Sequence, residues 1–445
     1  MVNSVPTLVF PSVRCREVAV RFDGGNLTSD AGVMLLSAVN KKTGLVDAMS
    51  AAFTDRRQRG KVRHSIKEML CARVFAIACG YEDANDLDTL RNDPALKVSC
   101  SKRPDKDPAL ASQPTLSRLE NSVNARDLMR MSKAIAERVI AQLPSDTKQV
   151  VLDVDATDDP CHGQQEFEFF NRHYDAHCYL PLLLHIAAED GKQRLLGGLL
   201  RPGNASYRTG LFWMLRTAIG LIRNRFPDVK IILRADAGFG FHDLLAFCEK
   251  YVVQYVLGLA TNKRLATLST PVQMDACLKY RIAGNGCREY GEFEYKAGKW
   301  PHKRRVIIKA EITRGELNPR YVVTDLPDEQ EAAYKFYCGR GDQENRIKEL
   351  KLDLLSGRTS CHRFLANQLR LLLHSAACVL MTALQDASIG TKYATAQACT
   401  IRLRLLKIAA RVVETSRRIW LHLPNHCPEI KTWQHLWQNL VSAPR

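Results

Sequence analysis

The stretch QVVLDVDATD, residues 149–158, is a short β-rich run that ends in acidic residues. Side chains alternate between the two faces of a β-strand, so Asp153 and Asp155 share one face and Val154 lies on the other. An acidic side chain within an apolar strand is costly unless it is paired or bound to a metal. The stretch therefore predicts a strand with a polar site at its end.

A second apolar run, VKIILRADAGF at residues 229–239, also ends in an acidic residue. Asp236 lies where this run gives way to glycine. Ligands of open α/β sheets gather at the carboxyl ends of the strands, so Asp155 and Asp236 are expected to converge if both strands join one sheet. Each acid could instead cap the turn that follows its strand.

Strand and helix candidates alternate around these two runs, which predicts an α/β protein with a mixed sheet. The predicted segments are a mainly helical N-terminal region (1–145) with a linker near 100–114, a first α/β part (146–263), a β-rich insertion (264–326), a helical segment (327–360) and a C-terminal helical region (361–445).

The net charge of the chain is +17, with 64 Lys and Arg against 47 Asp and Glu. Such an excess suggests a polyanionic partner, and nucleic acid is the expected one. A basic protein without such a partner is the alternative.

The most apolar helix candidate, residues 364–384, contains Asn, Gln, Arg, His and Ser, which predicts a buried core helix rather than a membrane span. Fourteen scattered cysteines without a C-x-x-C pair fit a reducing cytoplasm.

The stretch YCGRGDQENRIKELK, residues 337–351, places charges at helical spacing. Tyr337 defines the zero angle of the predicted helix. Arg340, Glu344 and Lys351 then fall at about 300°, 340° and 320°, on one narrow stripe. A third carboxylate beside the two strand-end acids would complete an oxygen-rich site suited to Mg²⁺, and Glu344 is the candidate. Ordinary charge pairing on an exposed helix face is the alternative.

These residues resemble a known family. The spacing Tyr337-x-x-Arg340-x-x-x-Glu344-x-x-x-x-x-x-Lys351 matches the Y-R-E-K signature of bacterial insertion-sequence DDE transposases. Asp155-Ala-Thr resembles the D-x-T around the first catalytic aspartate of that group.

The resemblance extends over nearly the whole chain. Asp236, in LRADAGF, resembles the second catalytic aspartate. Further stretches look like one branch, insertion-sequence family thirteen-eighty; they are FDGGNLTSDAGVMLL near the start, LASQPTLSRLEN before the core, and LDVDATDDPCHGQQ with HCYLPLLLH.

The resemblance implies an RNase H-like catalytic core with a β-rich subdomain inserted before the helix that holds the glutamate. It implies that Asp155, Asp236 and Glu344 are catalytic and bind two Mg²⁺ ions, for which Mn²⁺ would substitute. Asp153 shares a face with Asp155 and could be the first ligand or its neighbour. The D-x-T pattern favours Asp155.

The same resemblance implies nicking of DNA at element ends, followed by attack of the freed 3′-OH. Tyr337, Arg340 and Lys351 are expected to contact DNA phosphates. The expected partners are the double-stranded DNA of terminal repeats and target, and a second copy of the chain when ends are paired. No membrane partner is expected, and the expected location is the cytoplasm. A metal-dependent nuclease of the same fold and a non-catalytic DNA-binding protein are the alternatives.

Three other groups of residues are candidates for DNA contact: Arg56, Arg57 and Arg59 before the capping-box sequence Ser65-Ile-Lys-Glu68; Trp300 among cations in the β-rich segment; and Arg404, Lys407 and Arg411 at helical spacing. For each group a structural explanation remains open: a solvated loop, a tryptophan packed within its hairpin, and a solvated helix face.

Overall fold

A computed structural model describes residues 7–441, which form two compact units. The first unit contains the chain up to Lys42, Asp55–Leu119 and the chain from Leu380 onward. The second contains Thr43–Thr54 and Glu120–Val379.

The strands are β1 (Leu8–Val13), β2 (Arg16–Val20), β3 (Leu27–Thr28), β4 (Gln149–Ala156), β5 (Asp159–Pro160), β6 (Phe169–Asn171), β7 (Ala176–Tyr179), β8 (Leu182–Ala187), β9 (Arg194–Leu199), β10 (Lys230–Ala235), β11 (Gln254–Leu259), β12 (Cys287–Tyr295), β13 (Arg304–Thr313), β14 (Glu316–Thr324), β15 (Ala410–Glu414) and β16 (Ile419–His422). The α-helices are α1 (Val33–Thr43), α2 (Leu45–Ala52), α3 (Ile66–Ala78), α4 (Leu87–Leu90), α5 (Pro94–Ser99), α6 (Gln113–Ser122), α7 (Ala125–Ala141), α8 (Leu211–Arg225), α9 (His242–Lys250), α10 (Lys263–Leu268), α11 (Thr270–Ala283), α12 (Gln330–Cys338), α13 (Gly341–Lys348), α14 (Phe364–Ala387), α15 (Ala398–Ile401) and α16 (Ile430–Leu440).

The second unit is organised around one mixed sheet with the strand order β12-β13-β14-β11-β10-β4-β8-β9. β4 is parallel to β10 and antiparallel to β8, and β10 is parallel to β11. The predicted α/β class with a mixed sheet is therefore confirmed. Because β4 and β10 are parallel neighbours, their carboxyl ends meet at one edge of the sheet.

The predicted β-rich insertion differs from its expectation in two ways. It begins with two helices, α10 and α11, and its three strands continue the central sheet through antiparallel pairing of β14 with β11. Signals for both helices are present in the sequence. The Asn262 side chain accepts a hydrogen bond from the amide of Leu265 at 3.0 Å, and α11 ends at Gly284 with a left-handed backbone.

The stretch 337–351 is not one regular helix. α12 ends at Cys338 and α13 begins at Gly341, and the chain then widens into a π-helix over Glu349–Asp353. The break has a visible cause: the Arg234 guanidinium donates to the carbonyl of Phe336 at 2.6 Å, near the end of α12. A Cβ atom at Gly339 would lie 2.5 Å from that guanidinium, so a larger residue there would displace Arg234 from this carbonyl.

The helix α12 packs on the central sheet. A buried apolar cluster joins Ala333 and Tyr334 of this helix to Val256, Ile307 and Val322 of three neighbouring strands. Tyr337 packs at the edge of the same cluster. Burial of this helix face therefore sets the position of the residues that follow.

The first unit combines the two ends of the chain. β15 pairs with both β16 and β3, so the predicted C-terminal helical region is wrong over β15 and β16. The predicted linker near 100–114 is packed within this unit. The ammonium of Lys97 donates to the carbonyls of Pro104 and Asp107 at 2.7 Å each.

Among residues 7–441, only α14 is long and apolar enough to cross a membrane by length and composition. Of its most apolar 18-residue window, 89% is buried inside the protein. That burial is typical of a core helix, as the polar residues in its sequence predicted.

Candidate active site

The two strand-end acids lie side by side at one edge of the central sheet. Val154 of β4 is in register with Ala235 of β10, so Asp155 and Asp236 follow at neighbouring positions. Asp236 also caps a short 3₁₀ turn, because its carboxylate accepts a hydrogen bond from the amide of Gly238 at 2.9 Å. Asp236 therefore both caps this turn and belongs to the polar site.

The Arg340 guanidinium connects the sheet to α13. It donates to the carboxylate of Asp155 at 3.0 Å and to that of Glu344 at 2.5 Å. The Asp155 side chain is 14% exposed and that of Glu344 is 46% exposed. The site therefore has a buried floor and an open rim.

The electrostatics of this group favour a further cation. Burial raises the pKa of Asp155 to about 6; Arg340 opposes the rise, and the charges of Asp236 and Glu344 add to it. Three carboxylates face a single guanidinium, which leaves about two uncompensated negative charges when all are ionised. Such an excess suits a divalent cation.

Asp153 has a different environment from Asp155. Its carboxylate is fully buried and accepts two hydrogen bonds from Arg234, at 2.6 and 2.8 Å, and one from Gln193 at 2.6 Å. Its backbone carbonyl accepts from Gln343 of α13 at 3.0 Å. Because both carboxylate oxygens already have donors, the alternative that Asp153 is the first metal ligand is not supported.

The other two signature residues contact the backbone around the acids. The ammonium of Lys351 donates to the Thr157 hydroxyl at 3.2 Å, and to the carbonyl and carboxylate of Asp158 at 2.9 and 2.7 Å. The Tyr337 hydroxyl lies over Gly258 of β11, where a Cβ atom would come within 2.8 Å of it. Lys351 therefore holds the segment that follows Asp155, and Tyr337 packs beside the Asp236 turn.

A cavity of about 570 Å³ adjoins the carboxylates, between the α12–α13 segment and the strands β11 and β14. Tyr337, Arg340 and Glu344 line one side of it. Lys309 and Arg320 line the strand side. Carboxylates line both sides as well, Glu344 beside Arg340 and Glu311 in an ion pair with Lys309 at 2.8 Å, so the cavity wall has mixed charge.

The chain matches the family described as Transposase DDE domain group 1 over residues 10–445. The protein belongs to this transposase family. Transposases of this kind are in general nucleases and nucleotidyl transferases that bind DNA and use divalent metal ions. No curated protein matches the chain.

A divalent ion fits the chemistry of the transposase's donor set, which offers only carboxylate oxygens. The carboxylates do not form a preformed metal site. Within residues 7–441, no three Asp, Glu, His or Cys side chains are close enough together to hold an ion. Arg340 lies between Asp155 and Glu344. Binding of a metal by these two carboxylates would therefore require the guanidinium to move.

Trp300 is not available for stacking on a base, contrary to its prediction as a DNA-binding residue. Its side chain is 4% exposed and packs edge-on against Tyr295, with ring centroids 5.5 Å apart. The Arg304 guanidinium lies 5.0 Å from its ring and is paired with Glu249 at 2.7 Å. The alternative of a tryptophan packed within its hairpin describes these contacts.

The predicted cationic stripe of Arg404, Lys407 and Arg411 does not form. Arg404 lies in a π-helical turn and Arg411 in β15, so helical spacing does not apply. Lys407 pairs with Asp30 at 2.8 Å and lies 3.8 Å from the centre of the Tyr81 ring. This lysine stabilises its own unit.

The basic stretch before α3 is exposed. Arg57 pairs with Asp55 at 2.7 Å, and Arg59 begins a short 3₁₀ turn. The capping prediction just after it is confirmed, because the Ser65 hydroxyl accepts from the amide of Glu68 at 3.1 Å. DNA contact by Arg56, Arg57 and Arg59 stays a prediction, and the exposure of all three residues is compatible with it.

Sequence reasoning missed several residues around the acids. Arg234 interrupts the apolar run IILRAD, and an arginine within a strand is itself a signal of a buried acidic partner. Gly258 and Tyr207 gave no comparable signal. The Tyr207 ring lies where a side chain at Gly238 would be, 2.5 Å from its ideal Cβ, and thus borders the Asp236 turn.

Proposed function

We propose that this transposase cuts the ends of an insertion sequence and joins the freed 3′-OH ends to target DNA. The observation that supports this best is the junction of Asp155 and Glu344 through Arg340, beside Asp236 at the ends of adjacent parallel strands. Strand-end carboxylates at the edge of an α/β sheet are placed to meet a substrate.

We also propose that the central sheet contains an RNase H-like core. The five strands β9-β8-β4-β10-β11 lie in this spatial order, with the first three antiparallel and the last two parallel to β4. The segment α10–β14 lies between this core and the α13 residue Glu344 along the chain. This arrangement supports the expected insertion before the glutamate helix.

In this proposal, Asp155, Asp236 and Glu344 hold two Mg²⁺ ions, with Mn²⁺ as a substitute. When bound, such ions activate a water or 3′-OH nucleophile and stabilise the leaving oxygen of a phosphodiester. These carboxylates would supply the oxygen ligands for the ions, and Glu344 lies at the exposed rim. Burial of Asp155 against the sheet fixes the floor of the site.

The remaining signature residues position the substrate and the acids. Arg340 is placed to exchange its two carboxylate partners for a DNA phosphate, which a planar guanidinium binds with two parallel hydrogen bonds. Tyr337 lines the cavity beside it. Lys351 keeps the Thr157–Asp158 segment in place. The proposed Y-R-E-K signature rests on the spacing of these residues, and the proposed insertion-sequence branch on the further stretches of sequence that resemble it.

The decisive experiment measures excision in cells. A plasmid would hold a marker between the DNA ends that flank the gene, and the variants Asp155→Asn, Asp236→Asn and Glu344→Gln would be tested at matched expression. Excision by the wild type and a loss of more than about 100-fold in each variant are expected. Asp342→Asn is the matched control, because Asp342 lies exposed on the same helix.

The outcomes separate the alternatives. Cleavage without joined products in a purified assay with Mg²⁺ or Mn²⁺ would indicate a nuclease. Binding of the ends without any cleavage would indicate a DNA-binding protein. Loss of excision in Asp153→Asn at wild-type protein stability, with an active Asp155→Asn, would transfer the first ligand to Asp153.

A further inference from the structure

The helix α11 has an apolar face that no other part of residues 7–441 covers. Met274, Leu278 and Ile282 recur every four residues and are 58%, 53% and 86% exposed. Residues with this spacing lie on one side of a helix. Three large apolar side chains in one row are more than the single exposed residues that are normal on a protein surface.

The opposite face of α11 is fixed to the sheet. Ala276 is fully buried, and Val272 packs over Gly291 of β12, where a Cβ atom would lie 2.3 Å from the valine. The exposed row therefore sits on a helix that is held in place, and its side chains cannot turn inward without breaking this packing.

The row is self-complementary. When two copies of α11 lie antiparallel across a two-fold axis at Leu278, each Met274 faces Ile282 of the other copy, and the two Leu278 side chains meet. Asp275 and Lys279 lie on the same flank of the row. In this arrangement Asp275 comes within about 3 Å along the helix axis of Lys279 in the other copy, so opposite charges meet on that flank.

We propose that α11 is the contact surface for a second copy of this chain, through an antiparallel helix pair centred on Leu278. DNA does not suit the row, because phosphates require donors and cations that its three side chains lack. Lys279 is accessible to Asp275 of the other copy, because its side chain is 61% exposed even while it pairs with Glu289 at 2.7 Å.

One short helix provides less than the roughly 1,200 Å² of total buried surface that a stable dimer ordinarily needs. The contact is therefore weak between free copies and gains strength when both copies are bound to DNA, since tethering raises their effective concentration. This requirement for paired ends rests on the proposed function, whereas the helix contact itself can be tested without catalysis.

The test uses the full-length chain with Leu278→Cys and a short bis-maleimide cross-linker. A two-fold axis at this residue predicts a covalent dimer from the single variant, at protein concentrations of tens of micromolar or with DNA carrying the element ends. Met274→Cys and Ile282→Cys are the matched controls. Each alone gives no more dimer than the wild type with its native cysteines, and a mixture of the two gives the cross-linked pair.

A second measurement removes the apolar contact. Leu278→Glu is expected to weaken dimerisation more than tenfold by analytical ultracentrifugation, and Ile389→Glu, at another exposed apolar residue, leaves it unchanged. Absence of cross-linking above the wild-type level, or cross-linking of Met274→Cys with itself, would overturn the proposal. If Leu278→Glu left dimerisation unchanged but lowered the melting temperature of the monomer, the row would instead be a contact surface for another segment of the same chain. Excision activity enters neither readout, so failure of the proposed function would be seen separately.

Discussion

Two carboxylate–guanidinium pairs lie two residues apart on β4, in opposite surroundings. Asp153 and Arg234 are buried, and the aspartate also receives a hydrogen bond from Gln193. Asp155 is largely buried and pairs with Arg340, and this guanidinium is shared with Glu344, which is 46% exposed. The first pair is fully hydrogen-bonded at the aspartate, and the second combines several negative charges with one cation.

The difference shows that two acids on one strand can have separate roles, one in stabilising the fold and one in the candidate active site. The inner pair ties β4 to β10 and, through the Phe336 carbonyl, to the end of α12. It therefore positions the helix residues that surround the outer pair. The outer pair keeps an excess of negative charge that a cation can neutralise.

Breaking the inner pair is expected to have the largest effect on stability. Arg234→Met leaves Asp153 buried without its cation and should lower the free energy of unfolding by about 3–5 kcal/mol. Urea denaturation at pH 7.5 measures this. Arg340→Met at the outer pair is the comparison and should cost less than Arg234→Met, because Glu344, which shares the Arg340 guanidinium, is 46% exposed. Similar costs for both variants would remove the distinction between the pairs.

The inner network should also respond to acid. His185 is in register with Asp153 and fully buried, and burial lowers its pKa to about 3. Because the unfolded histidine takes up a proton near pH 6.5 and the folded one does not, stability is full above pH 6.5 and falls below it. The wild type should lose about 2 kcal/mol from this residue between pH 7.5 and pH 5. His185→Gln should lose about that much less, as measured by urea denaturation at both pH values.

The outer pair should behave in the reverse manner. The pKa of folded Asp155 is about 6, above the ordinary value of 3.8, so its contribution to stability falls as the pH rises from about 4 to about 6. In metal-free buffer at pH 7.5, Asp155→Asn should raise the free energy of unfolding by up to about 3 kcal/mol. The gain should vanish at pH 4. Asp153→Asn is the control and should destabilise the protein; a loss of stability in Asp155→Asn would place both acids in the same class.

The smallest effect concerns exposed cations of the first unit. Arg56→Ala and Arg59→Ala should weaken binding to end DNA and lower the slope of log affinity against log salt by about 1 for each phosphate that is no longer neutralised. Fluorescence anisotropy across a salt titration measures this. Lys407→Ala is the control, because Lys407 already pairs with Asp30. Unchanged slopes in the two arginine variants would remove these residues from the DNA-binding surface.

Local patterns in the sequence determined a large part of this protein. The apolar runs with acidic ends predicted β4 and β10, because strand alternation follows from local periodicity. They predicted the convergence of Asp155 with Asp236 on the condition that both strands join one sheet, and the parallel pairing of β4 with β10 meets that condition. The capping box predicted the start of α3, because the residues that form a helix cap are close together in the sequence. The spacing of the signature residues indicated the transposase family, which the match over residues 10–445 confirms.

Tertiary structure decided which charged residues are buried and paired. Asp153 and Asp155 are equivalent by alternation, yet only one meets Arg234 across the neighbouring strand. The break between α12 and α13 depends on the same arginine, and the burial of Trp300 depends on its packing against Tyr295. Burial and hydrogen-bond partners come from residues far apart in the chain, so local spacing cannot determine them.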